Sequence, residues 1–467
     1  MRMIDDVVRQ FRNGLTDLVQ DLDDTGFTPH TFVGFIGDLK ALISEIGLRA
    51  FTETVLRHEE ASDIVESGGQ LHRYKMDSEK EWITPFGLAV IPRRYFQHDR
   101  GGEGVVPLDV RCGMVDRPMT PDVEELCAFS GAHLVPREVE TLLGKLLPHG
   151  PSATAIQHVI QHVGAFAEQA EDDVEEALRK KTPLSTKGDV LVQSWDGVTV
   201  PLREAGNKTG RKPERPGVRE DNTDTTPTAW KEAGVATISI YSQDEEGKPV
   251  RLDTRYLARM PEAGMARLLE QQNSVVSPLL RNRALRRIVL LCDGKHAIWT
   301  AAEKLESYPM ATLILDFFHA TEHLSKAAEA LFGKKSVPGK RWYNKNRERL
   351  RDVVGGAESA IRSMLYYLGK LKPRKGSERY KTVMRVIGYF RRNLSKMAYA
   401  EFRGQGLPIG SGPVEAACKT VVGARIKRSG MRWSREGGQQ VLNLRIHVLS
   451  KRWDVFWNTY FDARQAA

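Results

Sequence analysis

The chain is short of cysteine and of long apolar runs, and it lacks the loops that hold nucleotides. Only Cys112, Cys127, Cys292 and Cys418 occur among 467 residues, far apart and in no CxxC or Cys/His pair of zinc spacing. That spacing argues against a disulfide scaffold or a zinc site and fits a reducing compartment. The most apolar short runs, such as IVLLC at 288–292, are strand length, far below the roughly 20 residues a spanning helix needs. The start, MRMIDDVVRQ, is acidic and has no apolar signal-like stretch. The expectation is therefore a cytoplasmic, nucleoid-associated protein without a membrane partner. Neither a GxxxxGK[ST] loop nor a dinucleotide fingerprint is present, which argues against ATP-driven and redox chemistry.

What the chain has is positive charge. Its 69 Lys and Arg exceed 60 Asp and Glu, a formal +9, and such a field attracts a polyanion. With 41% hydrophobic residues it has ample material for a core, and its length exceeds what one core supports. Helical spacing of Val7, Val8, Phe11, Leu15 and Leu18, then of Phe35, Leu39, Leu42, Ile43 and Ile46, predicts an N-terminal helical scaffold over 1–80. A β-hairpin segment is expected over 81–119, with TPFGLAVIPRRYFQ and GVVPLDVR flanking the turn HDRGGEG and no metal there. Over 120–185 the pattern is helical again. VPREVETLLGKLL and ATAIQHVIQHVGAFAEQ around PHGPS have the layout of a helix-turn-helix DNA-binding region, although helical hairpins without that function share it.

At 186 the texture turns β-rich. DVLVQSWDGVTVPLRE, GVATISIYSQ, RRIVLLCDG and MATLILD read as strands, the last two leading into helices, and the polar, basic stretch 205–227 reads as a loop. A helical, very basic segment follows at 331–405, with Lys334, Lys335, Lys340, Arg341, Lys345, Arg347, Arg349 and Arg351, and it reads as inserted. The stretch 406–467 then carries a helix with Ser411 as N-cap and Pro413 in its first turn, running to about Gly430, and a basic, aromatic tail. Strands in a hairpin series, then alternating with helices, describe an α+β or α/β multidomain chain. Its core over 186–330 is a ribonuclease H-like mixed sheet with a helical insertion, preceded by a mainly helical N-terminal region.

Two β-runs end in Asp-Gly, at Asp196 in WDG and Asp293 in CDG. An Asp at a strand end projects into a cleft and Gly lets a backbone approach, yet turn chemistry explains either dipeptide alone. Glu415 in GSGPVEAACK is an acid on an apolar-rich helix start, where attraction to the helix dipole is the bland account. Acids gathered together need a divalent cation to stay ionised, and hard oxygen ligands select Mg2+, with Mn2+ as substitute. Two such ions serve in-line displacement at phosphorus without a covalent intermediate.

SWDGVTVPLRE, LLCDGKHAIW, LILDFFHATEHL and GSGPVEAACKTVVGARIKRSGMRWS, in that order, resemble the blocks of the ISKra family of insertion-sequence transposases, within the DDE superfamily. The resemblance spans roughly 190–460 and weakens toward the N-terminus. It implies a ribonuclease H-like catalytic domain in which Asp196, Asp293 and Glu415 are the catalytic acids and hold two Mg2+ ions. Asp316 and His319 match a D-x-x-H motif that related transposases place beside the active site, although a helix-capping Asp explains Asp316 as well. After Glu415, Lys419, Arg425, Lys427, Arg428, Arg432 and Arg435, with Trp433 as a stacking face, are the expected DNA-binding residues; a solvated basic face is the alternative. Lys419 equally forms a plain helix pair with Glu415.

The expected enzyme is thus a DDE transposase of a bacterial insertion sequence that cuts and rejoins DNA. Its expected partners are double-stranded DNA, as terminal repeats and target, and further copies of itself in a homo-oligomer. Another ribonuclease H-like nuclease, or a catalytically silent DNA-binding regulator derived from a transposase, are the alternatives.

Overall fold

The computed structural model describes residues 2–102, 104–203, 230–281 and 285–466. The basic stretch 205–227 lies outside them. The chain divides into two compact units, Met1–Ala167 with Trp457–Ala467, and Glu168–Phe456.

The first unit begins with a hairpin of two long helices, α1 (Arg2–Thr25) and α2 (Pro29–Leu56). Gly14 lets the helices close, since a Cβ there would come within 2.7 Å of Leu42. An antiparallel ribbon follows, β1 (Ile64–Ser67), β2 (Gln70–Thr84) and β3 (Gly87–His98). The long hairpin turns at Pro85 and Phe86, the expected pairing across HDRGGEG is reduced to an antiparallel bridge between Phe96 and Val105, and strands begin inside the segment expected to be helical. β2 was hard to read because HRYKMDSEKEW is largely exposed on both faces, so no apolar alternation marks it. GVVPLDVR folds instead into α3 (Pro107–Arg111), where Pro107 starts a helical turn and buried Asp109 is held by Lys80 and Arg93. Helices α4 (Pro121–Gly131), α5 (Pro136–Leu146) and α6 (Ala153–Gln169) complete the stretch. Prolines open α2, α3, α4 and α5, the position where a missing N–H leaves no bond unmade. The chain's last residues, expected in the catalytic core, belong to this unit: Tyr460 donates to buried Glu124 at 2.8 Å.

The second unit opens with α7 (Glu171–Lys181) and is built on a five-stranded mixed sheet. Its strands are β4 (Val190–Pro201), β5 (Trp230–Gln243), β6 (Pro249–Arg259), β7 (Arg287–Cys292) and β8 (Ala311–Leu315), in the order β6-β5-β4-β7-β8. The first three form an antiparallel meander, and β7 and β8 run parallel to β4. Alternation along each strand gives the sheet two apolar faces, as strands covered on both sides require. Leu191, Trp195, Leu290 and Cys292 pack with α8 (Ala266–Leu280) and α9 (His296–Ala302). Val190, Val192, Val289, Leu291 and Ile314 pack on the other side with α10 (Phe317–Phe332).

Between α10 and the Glu415 block come α11 (Val337–Asp352), α12 (Gly356–Leu371), α13 (Glu378–Arg392) and α14 (Tyr399–Gly404). Their buried residues form one continuous core with α10 and that sheet face, so this helical stretch is integral to the unit. Lys334, Lys335, Lys340, Arg341, Lys345 and Arg349 remain exposed on it. The unit ends with α15 (Gly412–Ala417), a π-helical turn over Cys418–Gly423, α16 (Ala424–Ile426) and α17 (Arg435–Leu449); α18 (Trp453–Ala466) carries the chain out of it.

Candidate active site

The strand register brings three aspartates to one level. β4 pairs with β7 from Val190↔Arg287 to Gln193↔Leu290, and β7 with β8 from Ile288↔Ala311 to Cys292↔Leu315. Continued along the strands, the same register aligns Asp196, Asp293 and Asp316. Parallel neighbours lie about 4.8 Å apart, and side chains alternate faces. By that alternation all three fall on the α10 side, with Val192, Leu291 and Ile314. Asp316 N donates to Cys292 O at 2.9 Å, which fixes the last rung.

Asp196 does not end its strand, as the WDG reading expected. β4 runs on to Pro201 and Asp196 pairs with Val235 of β5. Pairing with β7 stops three residues earlier, at Gln193. At Gly197 a Cβ would come within 2.1 Å of the flexible Glu232 side chain that crosses it. Gly197 N donates to Asp196 Oδ1 at 2.7 Å and Gly294 N donates to Asp293 Oδ1. The side chains of Asp196 and Asp293 are 22% and 13% exposed. Burial, with the negative charge of Asp293 adding to it, raises the Asp196 carboxyl above its usual range, against the Gly197 bond and Lys295.

Lys295, which sequence reasoning missed, lies between these acids. Its Nζ is 4.0 Å from Asp196, 3.9 Å from Asp293 and 3.3 Å from Glu232. An ammonium among three carboxylates marks where positive charge is favoured, and an all-oxygen donor set fits a hard divalent cation. The signal was at hand in the CDGK tetrapeptide, whereas nothing local marked Glu232. Lys295, Glu232, Gly197, Lys231 and Arg435 also line a cavity of about 550 Å³.

Asp316 is fully buried and both its oxygens are engaged. Oδ1 accepts from His319 N at 2.7 Å and lies 3.3 Å from His319 Nδ1, while Oδ2 accepts from Ser411 N. It is therefore a helix cap and an ion-pair partner at once. Burial alone would raise its carboxyl; the bonds from His319 and Ser411 outweigh burial and lower it. The Asp316 bond, opposed by burial and aided by Asp293, raises His319 to about 9, so the ring is a cation at neutral pH.

Glu415 is half-buried on α15, and Ser411 Oγ donates to its Oε1 at 3.4 Å. The group that meets metal-ligand spacing among the described residues is Asp316, His319 and Glu415, with ligand atoms all within 4.8 Å. Glu415 thus reaches the site from the β8 side. Cys418 feels both acids: its thiol is pushed up to about 12 by burial and then by the charges of Asp196 and Glu415.

The helix expected from Ser411 to Gly430 is broken. After six residues it widens into the π-turn, and Arg445 of α17 donates to the freed carbonyls, to Val421 O at 2.7 Å and to Thr420 O. Burial lowers Arg445 to about 10. The basic flank is split as a result. Lys419, Lys427 and Arg432 are exposed and Arg428 is partly so. Arg425 is 1% exposed, with its guanidinium 5.0 Å from the Trp433 ring, so it is not a surface phosphate contact. Trp433 is an anchor: its Nε1 donates to Ile426 O at 2.9 Å and its carbonyl accepts from Arg203 N at 2.7 Å. Arg435 is exposed but its guanidinium is tied to Pro261 O.

No protein-family model matches the chain, and no curated protein does. Among solved structures, a chain of the Drosophila P element transposase strand transfer complex is similar over 74% of this chain and 82% of that one, at 12% identity and a TM-score of 0.25. A likeness of that degree decides neither fold nor function. No described helix is long and apolar enough to cross a membrane.

Proposed function

We propose that this chain is a DNA transposase of the DDE kind on a ribonuclease H-like sheet. The observation that carries the reading is that Lys295 Nζ lies 4.0 Å from Asp196 and 3.9 Å from Asp293, which brings these two acids of neighbouring strands to one place; Glu415 stands with Asp316 and His319. The strand order β6-β5-β4-β7-β8, with an antiparallel meander followed by two parallel strands, supports the fold assignment.

In this reading Asp196, Asp293 and Glu415 hold two divalent cations, Mg2+ or Mn2+. When bound, these supply charge stabilisation for the attacking and leaving oxygens of in-line phosphoryl transfer. The protein's own groups prepare the site. Partly buried carboxylates on a fixed sheet and helix keep their geometry without reorganisation. His319, protonated and locked to Asp316, gives local positive charge while leaving the metal acids free. Lys295 offsets the charge of Asp196 and Asp293 and would offer its ammonium to a phosphate. Lys419, Lys427, Arg428 and Arg432 track the DNA backbone, and the helices over 331–405 extend that basic approach. The α5–α6 pair is the candidate reader of terminal repeats, and pairing of two ends requires a homo-oligomer.

The test is incubation with Mg2+ and a labelled duplex ending in the element's flanking repeats. Joined product supports transposition, nicking without joining supports another nuclease, and binding alone supports a silent regulator. Asp293→Asn is expected to abolish both products while DNA binding persists in a mobility-shift assay. Undiminished cleavage by that variant refutes the assignment.

A further inference from the structure

A recess walled in part by α9 opens beside Asp196 and Asp293. Its volume is about 550 Å³, inside the roughly 300–1,000 Å³ typical of sites that take one small molecule. Met265, Ala297, Ile298 and Ala301 give it apolar walls, and Ile298 is only 3% exposed, so the recess reaches below the surface. Lys231, Lys295 and Arg435 line its polar part with Glu232 and Glu262. Lys295 belongs at once to the recess and to the acids, since its Nζ lies 4.0 Å from Asp196 and 3.9 Å from Asp293. The wall before α8 is held in an uncommon conformation: Gly264 and Met265 are both left-handed, with φ of 61° and 53°. For a residue with a side chain that backbone is strained, and such strain gathers at ligand clamps and active sites.

The chemistry of the walls narrows the occupant. Cations beside an apolar surface suit an anion with an apolar body, and a nucleotide is one, with a flat base and a phosphate. The two acids fit this as well. Glu262 Oε1 is engaged by Leu268 N at 3.0 Å, while Glu232 is exposed, with Oε1 3.3 Å from Lys295, and can accept from the amino group of a base edge. A base still paired in a duplex cannot enter, because its partner fills the space beside it, whereas an unpaired one can. We propose that the recess takes one unpaired nucleotide of the DNA strand that is cut, its base against Met265, Ala297 and Ala301 and its phosphate at Lys295. The proposal rests on the reading of Asp196 and Asp293 as the acids that cut DNA, and it adds a requirement for local strand opening beside the cut. Unstacking a base has an energetic cost that a mispaired substrate lowers, so substrates already open at that position are preferred.

The experiment places 2-aminopurine, which brightens when it leaves the base stack, at successive positions around the cut in the duplex of the cleavage assay. No aromatic ring is among the described residues that line the recess, so a base seated there stays bright. Full-length wild type, Asp293→Asn, Ala297→Leu and Lys231→Gln are compared, with melting temperatures to show that each folds. Ala297→Leu narrows the recess from an exposed position of α9, and Lys231→Gln removes a cation with little change of shape. The expected result is a fluorescence rise at one position beside the cut with wild type and with Asp293→Asn, lost in Ala297→Leu and reduced in Lys231→Gln. Ala297→Leu should also slow cleavage of the fully paired duplex on the order of 10- to 100-fold while its affinity for that duplex holds, and a mismatch at the bright position should restore part of the rate. No rise at any position, or a rise that both variants keep, overturns the proposal, and cleavage by wild type then leaves the proposed function standing. If wild type binds the duplex but never cuts it, both fail.

Discussion

His319 carries the clearest single-residue consequence. Its pKa is raised to about 9 in the fold, chiefly by the hydrogen bond to Asp316, against about 6.5 in an unfolded chain. The folded state therefore favours the protonated ring. Its contribution is fully present below pH 6.5 and is lost as pH rises toward 9. The shift corresponds to on the order of 3 kcal/mol at most, and the 27% exposure of the side chain reduces it through solvent screening. Without divalent metal, wild type should melt above His319→Gln at pH 6, and the gap should close by about pH 9.5. A gap that widens with pH would contradict the ion pair. Asp316 adds nothing in this window, because its lowered carboxyl is ionised throughout.

At the scale of elements, the two Asp-Gly dipeptides prove unlike. Both were legible as acids followed by glycine, but not the reason for each glycine. Gly197 sits inside β4 under an exposed, flexible Glu232 side chain, whereas Gly294 follows β7 under a buried Tyr389 ring stacked on His323. Gly197→Ala should thus cost under about 1 kcal/mol, since Glu232 can swing away, while Gly294→Ala should cost about 1–3 kcal/mol by overpacking. Urea melts of the two variants check this, and equal costs would mean that Tyr389 yields freely. The Glu415 block shows the complementary limit. Its N-cap and Pro413 were visible in the sequence, but the π-turn was not, because Arg445 holds it open from 24 residues beyond Val421.

For the molecule as a whole, net charge points toward a polyanion but does not say which cations are free to meet one. Of the seven expected DNA contacts, Lys419, Lys427 and Arg432 are exposed on the polypeptide after Glu415, while Arg425 is internal. Each phosphate contact adds about −0.9 to the slope of log affinity against log salt. Replacing those three by alanine should reduce the slope by about 2.7 if each pairs with one phosphate. Arg425→Ala should leave the slope alone and lower the melting temperature. A salt titration of DNA binding for the two proteins decides between a basic approach and a merely solvated face.

The sequence by itself determined four of the five strands of the second unit, β6 (Pro249–Arg259) and α8 (Ala266–Leu280) being missed, the glycines beside two acids, and the candidates Asp196, Asp293, Glu415, Asp316 and His319. These are local facts, written in alternation, caps and turn residues. Tertiary structure decided what pairing across strands controls: that Lys295 stands beside both Asp196 and Asp293, and that Asp316 belongs to His319 and Ser411. It also decided which charges stay in water. Charge is a property of the residue, but exposure is a property of what packs over it, and Arg425 lies beneath Trp433 where Arg432 does not.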